Sequence, residues 1–143
     1  MGPQMNIKDA KVLLVDDDGV MRMFIMNLLT RLGVQHMQEA IDGQSGLQNV
    51  ASYRPDIIIS DIHMSPIGGL EFVKQLRAHP VIALRKIPVL LMSADTSSQM
   101  LNQAVPLGVA GYIVKPPNFE ALKIKLEHAL KFRQSQRQAT DNA

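Results

Sequence analysis

The stretch 11–19 constrains this chain most. A run of β-type residues, Lys11-Val12-Leu13-Leu14-Val15, stops abruptly on three consecutive acids, Asp16-Asp17-Asp18, and a glycine. A strand with one wet face alternates polar and apolar residues. One without alternation is buried on both faces, as in the interior of a parallel sheet. The acids therefore stand at the carboxyl end of a buried strand. Clustering them has a cost, since two like charges about 4 Å apart repel by roughly 4 kcal/mol at an effective dielectric near 20. A hard divalent cation such as Mg²⁺ would turn that repulsion into attraction, because it takes carboxylate oxygens as ligands. Alternatively the turn is solvated and an aspartate simply caps the next helix. What other segments bring to the same place decides between the two.

Parallel strands need long crossovers, usually helices, and the chain supplies them. Val20, Met21, Phe24, Ile25, Leu28, Leu29 and Leu32 recur at helical spacing, and Gly33 stops that helix. A second strand over 34–40 is less apolar and suits an edge. Asp42-Gly43 turns the chain into a short helix over 45–53 with Leu47 and Val50 inward, ended by Arg54-Pro55. Asp56-Ile57-Ile58-Ile59-Ser60 is the strongest strand signal, and it too ends in an acid, Asp61. A loop with Ser65, Pro66, Gly68 and Gly69 leads to a helix through Leu70, Phe72, Val73 and Leu76.

After a connection over 79–86, Pro88-Val89-Leu90-Leu91-Met92 is another buried strand, running into Ser93-Ala94-Asp95. The segment 97–107 has the weakest helical pattern, and Pro106 should end or distort its last turn. Gly111-Tyr112-Ile113-Val114 is the fifth strand, followed by Lys115-Pro116-Pro117. The final helix starts at Asn118 as N-cap and buries Phe119, Leu122, Leu126, Ala129 and Leu130. One domain is expected over 10–134. Residues 1–9 read as an irregular lead-in whose Met1-Gly2-Pro3 resembles a cloning remnant, and 135–143 as a polar tail that frays.

The 143 residues suffice for one real core. Cysteine is absent, which excludes disulfides and thiolate metal sites. No apolar run approaches the ~20 residues that span a bilayer, and no secretory leader is evident. A cytoplasmic location without membrane insertion is the expectation. Residues 1–114 hold nine Lys/Arg and ten Asp/Glu, whereas 115–143 hold six and three. The basic end lacks interleaved aromatics, which disfavours nucleic acid as a partner; a homodimer through this last helix stays open.

The order βαβαβαβαβα gives an α/β fold with a central parallel sheet and helices on both faces. In such sheets ligands bind outside the carboxyl ends of the strands. Asp16 and Asp17 follow strand 1, Asp61 strand 3, Ser93 strand 4 and Lys115 strand 5, so all lie at one edge. Three carboxylates, a hydroxyl and an ammonium suit metal-assisted phosphoryl transfer.

At this point the chain resembles the response-regulator receiver (CheY-like) domain of two-component signalling. The resemblance covers about 11–130 and rests on Val15-Asp16-Asp17, Ser60-Asp61-Ile62-His63-Met64, Met92-Ser93-Ala94 and Gly111-Tyr112-Ile113-Val114-Lys115-Pro116. It implies a doubly wound (βα)5 domain with strand order 2-1-3-4-5. It further implies that Asp61 accepts a phosphoryl group from a sensor histidine kinase or phosphotransfer protein. Asp16, Asp17, Asp61 and the His63 backbone carbonyl would hold Mg²⁺ or Mn²⁺, with Asp16 acting mainly through water. Lys115 would pair with Asp61 and then with the phosphoryl group, and a cis Lys115-Pro116 bond would aim it. Ser93 and Tyr112 would form the switch that remodels the helix 4–strand 5–helix 5 surface for a downstream protein, with a chemotaxis-type target one option. His63 and Asp95, each two residues past a site residue, would tune the lifetime of the phosphate. Only self-phosphorylation and self-dephosphorylation are expected, not turnover of a separate substrate.

Departures from the family pattern are Ser65-Pro66 after Met64, Gly68-Gly69 where an acid often precedes the glycine, and Pro117 where Phe is frequent. None removes a chemical group. Two rivals stand beside this reading. A haloacid-dehalogenase-like phosphatase would use Asp16 as nucleophile and Asp18 as acid, but the chain lacks that family's later acidic pair and leaves Asp61 idle. A non-phosphorylated interaction module would keep the fold alone. Whether the domain stands alone or was cut from a longer regulator is open.

Overall fold

The computed structural model describes residues 5–95 and 97–141, excepting the side chains of residues 132 and 134–141. The expected remnant Met1-Gly2-Pro3 lies outside them. Five strands, β1 (Lys11–Val15), β2 (His36–Ala40), β3 (Ile57–Asp61), β4 (Val89–Ser93) and β5 (Gly111–Val114), form one sheet in the order β2-β1-β3-β4-β5. Every pairing is parallel. Five helices connect or follow them: α1 (Gly19–Leu32), α2 (Gly43–Tyr53), α3 (Gly69–Arg77), α4 (Ser98–Ala104) and α5 (Phe119–Asp141).

The period of two sorts the strand side chains into two cores. Val12, Leu14, Ile57, Ile59, Leu90 and Met92 pack under α1 and α5. Leu13, Val15, Ile58, Val89 and Leu91 pack on the other face against residues of α2, α3 and α4. Strands covered on both faces can carry no alternation, so the unbroken apolar runs follow directly from this two-sided burial.

Local chemistry sets the helix ends. The Asp18 carboxylate accepts from the backbone N–H groups of Val20 and Met21, and Gly33 closes α1 at φ 101°. Val34 N–H then bonds back to Leu29 O, which belongs to the helix cap. The second strand therefore starts at His36 rather than at the expected residue 34. Val20 and Phe24, counted in the helical pattern of α1, are 80% and 46% exposed. They fall off the stripe through Ile25, Leu28 and Leu29 that meets the sheet.

Asp42 caps α2 with a capping box to Ser45, so that helix begins two residues before the expected start. The weak pattern at 97–107 has a clear cause: Ala104 alone is buried in α4, which passes into a 3₁₀ turn, Val105–Leu107, that contains Pro106. Asn118 caps α5 through Ala121 N–H at 2.8 Å. Phe119, expected inside, is only partly buried and lies under the Arg31 guanidinium. The helix continues to Asp141, into the segment 135–143 read as a polar tail.

Candidate functional site

The register carries the chemically equipped residues to one edge. Val15 pairs with Ser60, Asp61 with Met92, and Ser93 with Val114, so the residues just beyond these pairs leave the sheet side by side. Asp16 is fully buried, Asp61 and Ser93 nearly so, and Asp17 is exposed. One oxygen from each of Asp16, Asp17 and Asp61 lies within 4.8 Å of the others. Lys115 Nζ stands 3.0 Å from Asp61 Oδ1 and 3.4 Å from Asp16 Oδ2. The peptide Lys115-Pro116 is cis, as expected, and so is Ser65-Pro66, noted in the sequence only as a departure from the family pattern.

Backbone donors fix these groups. Ile62 N–H donates to Asp61 Oδ1 at 2.9 Å, and Asp18 N–H donates to Asp16 Oδ1 at 2.9 Å. Lys115 N–H donates to Ser93 O at 3.0 Å, tying the lysine's backbone to β4. Ser93 Oγ accepts from Asp95 N–H at 2.9 Å.

The charges do not balance. Three carboxylates face one ammonium. Burial pushes the Asp16 carboxyl above its ordinary value; Asp18 N–H and Lys115 pull it down and Asp61 pushes it further up. For Lys115 burial works to lower the pKa, but bonding to Asp61 and the charges of Asp61 and Asp16 together overcome it and raise it. The resulting donor set is all oxygen, compact and formally two charges short of neutral. Octahedral Mg²⁺ binds oxygens at about 2.0–2.1 Å and keeps several waters, so three carboxylates within this span, one of them exposed, fit such an ion.

The remaining expected residues are also in reach. His63 and Asp95 are exposed on neighbouring loops. The Asp95 carboxyl is held below the usual range, first by Ser97 N–H, then by the Ser97 hydroxyl, with His63 adding a smaller attraction. Tyr112 is half-buried beside the α2–α4 core, its hydroxyl 3.4 Å from Met100 O on α4. Asp18, the proton donor that a dehalogenase-type phosphatase would need, spends its carboxylate on the N-terminus of α1.

Two supports were not anticipated. Arg22 Nη1 donates to Asp16 O at 2.7 Å, a main-chain contact that no sequence pattern marks. At Gly69, a Cβ would fall on Asp61 O and at 2.8 Å from Ile62 Cα. That contact, not loop flexibility, accounts for a glycine there.

Known proteins are similar over most of the chain. The sequence profile of the family described as the response regulator receiver domain matches residues 12–127. The chemotaxis protein CheY-3 of Vibrio cholerae is 37% identical over 120 residues, 84% of this chain and 91% of the relative. The chemotaxis protein CheY of Pseudomonas aeruginosa is 36% identical over 117 residues, 82% of this chain and 93% of the relative. The solved structure of Vibrio cholerae CheY4 superposes with a TM-score of 0.76 at 33% identity, covering 84% of this chain and 98% of that one.

Proposed function

The chain belongs to the response regulator receiver domain family, and on that premise we propose that it relays a signal by carrying a phosphoryl group on Asp61. The observation that carries this is the crossing of charges at one carboxylate: Lys115 Nζ lies 3.0 Å from Asp61 Oδ1, within a compact cluster of three acids. An Asp61 oxygen attacks phosphorus in a donor phosphohistidine. The new O–P bond forms as the P–N bond breaks, and the electron pair leaves with the imidazole. Lys115 then turns from the spent carboxylate charge to the phosphoryl oxygens, and the Ser93 hydroxyl donates to one of them.

Asp16, Asp17, Asp61 and the His63 carbonyl are the ligands proposed for Mg²⁺ or Mn²⁺. When bound, the ion neutralises the charge that donor and acceptor bring together. Water ends the signal by attacking the same phosphorus, which breaks the Asp61 O–P bond, releases inorganic phosphate and restores the carboxylate, and exposed His63 and Asp95 flank its approach.

Output follows from Ser93 being drawn to the phosphoryl group. Its Oγ is bonded to Asp95 N–H ahead of α4, and Tyr112 reaches α4 through Met100. A groove of about 560 Å³ beside it, lined by Tyr112, Val114, Ala121 and Lys125 among others, suits a downstream protein segment. The similarity to chemotaxis proteins of about 37% identity makes a motility-type target the first to test.

The experiment is incubation with Mg²⁺ and acetyl phosphate, followed by mass spectrometry of the intact chain and its Asp61→Asn variant. Label on the wild type alone supports the proposal. Label on Asp16 with steady phosphoester hydrolysis would favour the phosphatase, and no label in either would favour a passive interaction module.

A further inference from the structure

Asp16 and Asp17 share a turn between β1 and α1 whose own carboxylates repel one another. Strand pairing reaches only its first atom, Asp16 N–H, which donates to Ala40 O at 3.0 Å. The carbonyl that follows, Asp16 O, belongs to the peptide joining the two acids, and it accepts from Arg22 Nη1 at 2.7 Å. Arg22 Nε is paired at 3.0 Å with Glu39 Oε1 on β2, and the arginine side chain is only 19% exposed. A Cβ on Gly19 would stand 3.5 Å from Arg22 Nη2, so the guanidinium lies along the turn. One rigid planar group thus uses separate N–H donors to tie the turn to the edge strand.

We propose that Arg22, oriented by Glu39, is a positioning residue for the divalent cation: it fixes the Asp16–Asp17 peptide and with it the direction of both carboxylates. The inference rests on the assignment of the acid cluster to Mg²⁺. Two effects of Arg22 oppose each other in sign. As a positive charge near the acids it should weaken cation binding, whereas as a clamp on their shared peptide it should strengthen it. The pairing with Glu39 largely cancels the first effect, and the short hydrogen bond to Asp16 O preserves the second.

Calorimetric Mg²⁺ titrations of the wild type, Arg22→Ala and Arg22→Lys separate them, with Arg31→Ala as a control on the same helix. Arg31 lies over Phe119, 5.2 Å from the ring centre. The expected result is a Kd weakened roughly threefold to tenfold in Arg22→Ala, part of what one charge-assisted hydrogen bond contributes. Arg22→Lys keeps the charge, which opposes the cation, but not the planar fork, so its Kd should be weakened at least as much as that of Arg22→Ala. Arg31→Ala should bind as the wild type does. Melting without Mg²⁺ is recorded in parallel, since a merely structural arginine would lower the Tm without moving the Kd. An unchanged or tighter Kd in Arg22→Ala overturns the assignment while leaving the metal site standing. Absence of Mg²⁺ binding by the wild type overturns both. If Arg22→Ala does not fold, Arg22→Lys decides by the same criterion.

Discussion

Two ionic groups sit at opposite edges of the sheet, one around half-buried Arg77 and one around buried Asp16 and Asp61, and they are solved differently. At the edge leading into β4 and β5, the Arg77 guanidinium at the end of α3 donates to four carbonyls. Nε reaches Leu107 O at 2.9 Å, Nη1 reaches Arg85 O and Ile87 O at 2.9 and 2.8 Å, and Nη2 reaches Gly108 O at 3.2 Å. Burial lowers its pKa from the ordinary arginine value, but its donors are matched to fixed dipoles. At the carboxyl edge, Asp16, Asp17 and Asp61 share one lysine, and burial raises the Asp16 carboxyl. A saturated charge holds a fold together. An unbalanced one is a standing demand for a ligand.

The comparison can be broken in stages. The largest effect is expected from Asp61→Asn, which should abolish phosphoryl labelling altogether. Because it removes one of three like charges, its stability in urea should equal or exceed that of the wild type. Arg77→Met should do the reverse, losing about 3 kcal/mol of stability as its carbonyls lose their partner while Asp61 still labels. If that variant kept its stability and lost labelling, the division between the two edges would fail.

Gly69→Ala lies between these extremes. Its Cβ would meet Asp61 O and Ile62 Cα, so it should cost about 1–3 kcal/mol and also slow labelling by displacing the acceptor's backbone. A denaturant curve and a labelling time course on one preparation test both halves.

The smallest effect is electrostatic. For an acid whose folded-state pKa lies above its unfolded value, ionisation opposes folding. The penalty is absent below the unfolded value, grows as pH rises towards the folded value, and is complete above it. Without Mg²⁺, Asp16→Asn should therefore gain stability relative to the wild type as pH rises from below 3.8 through the raised Asp16 value. Added Mg²⁺ should shrink that gain. Melting temperatures of the two proteins across this range, with and without the ion, are the check.

Legibility in the sequence followed the same physics. Strands β1, β3 and β4 could be read because burial on both faces leaves unbroken apolar runs, and their shared carboxyl edge then gathered Asp16, Asp17, Asp61, Ser93 and Lys115. Helix α4 was hard to read because only Ala104 is buried in it. The early start assigned to β2 arose because Val34 is apolar for a helix cap, not for a strand. Val20 and Phe24 are apolar but lie off the stripe through Ile25, Leu28 and Leu29, so residue type misled where helical phase would have placed them outside. Arg22 and Gly69 went unread for a different reason. Both act on backbone atoms, Asp16 O and Asp61 O, and contacts to main chain leave no side-chain pattern.

The contrast between a satisfied and an unsatisfied charge is tested most directly by melting the protein against Mg²⁺ concentration. A ligand that binds only the folded state raises stability by RT ln(1 + [L]/Kd). The wild type and Arg77→Lys should both rise in Tm, saturably and in parallel, while Asp17→Asn should stay nearly flat. A flat wild-type curve, or the same rise in Asp17→Asn, would contradict the account.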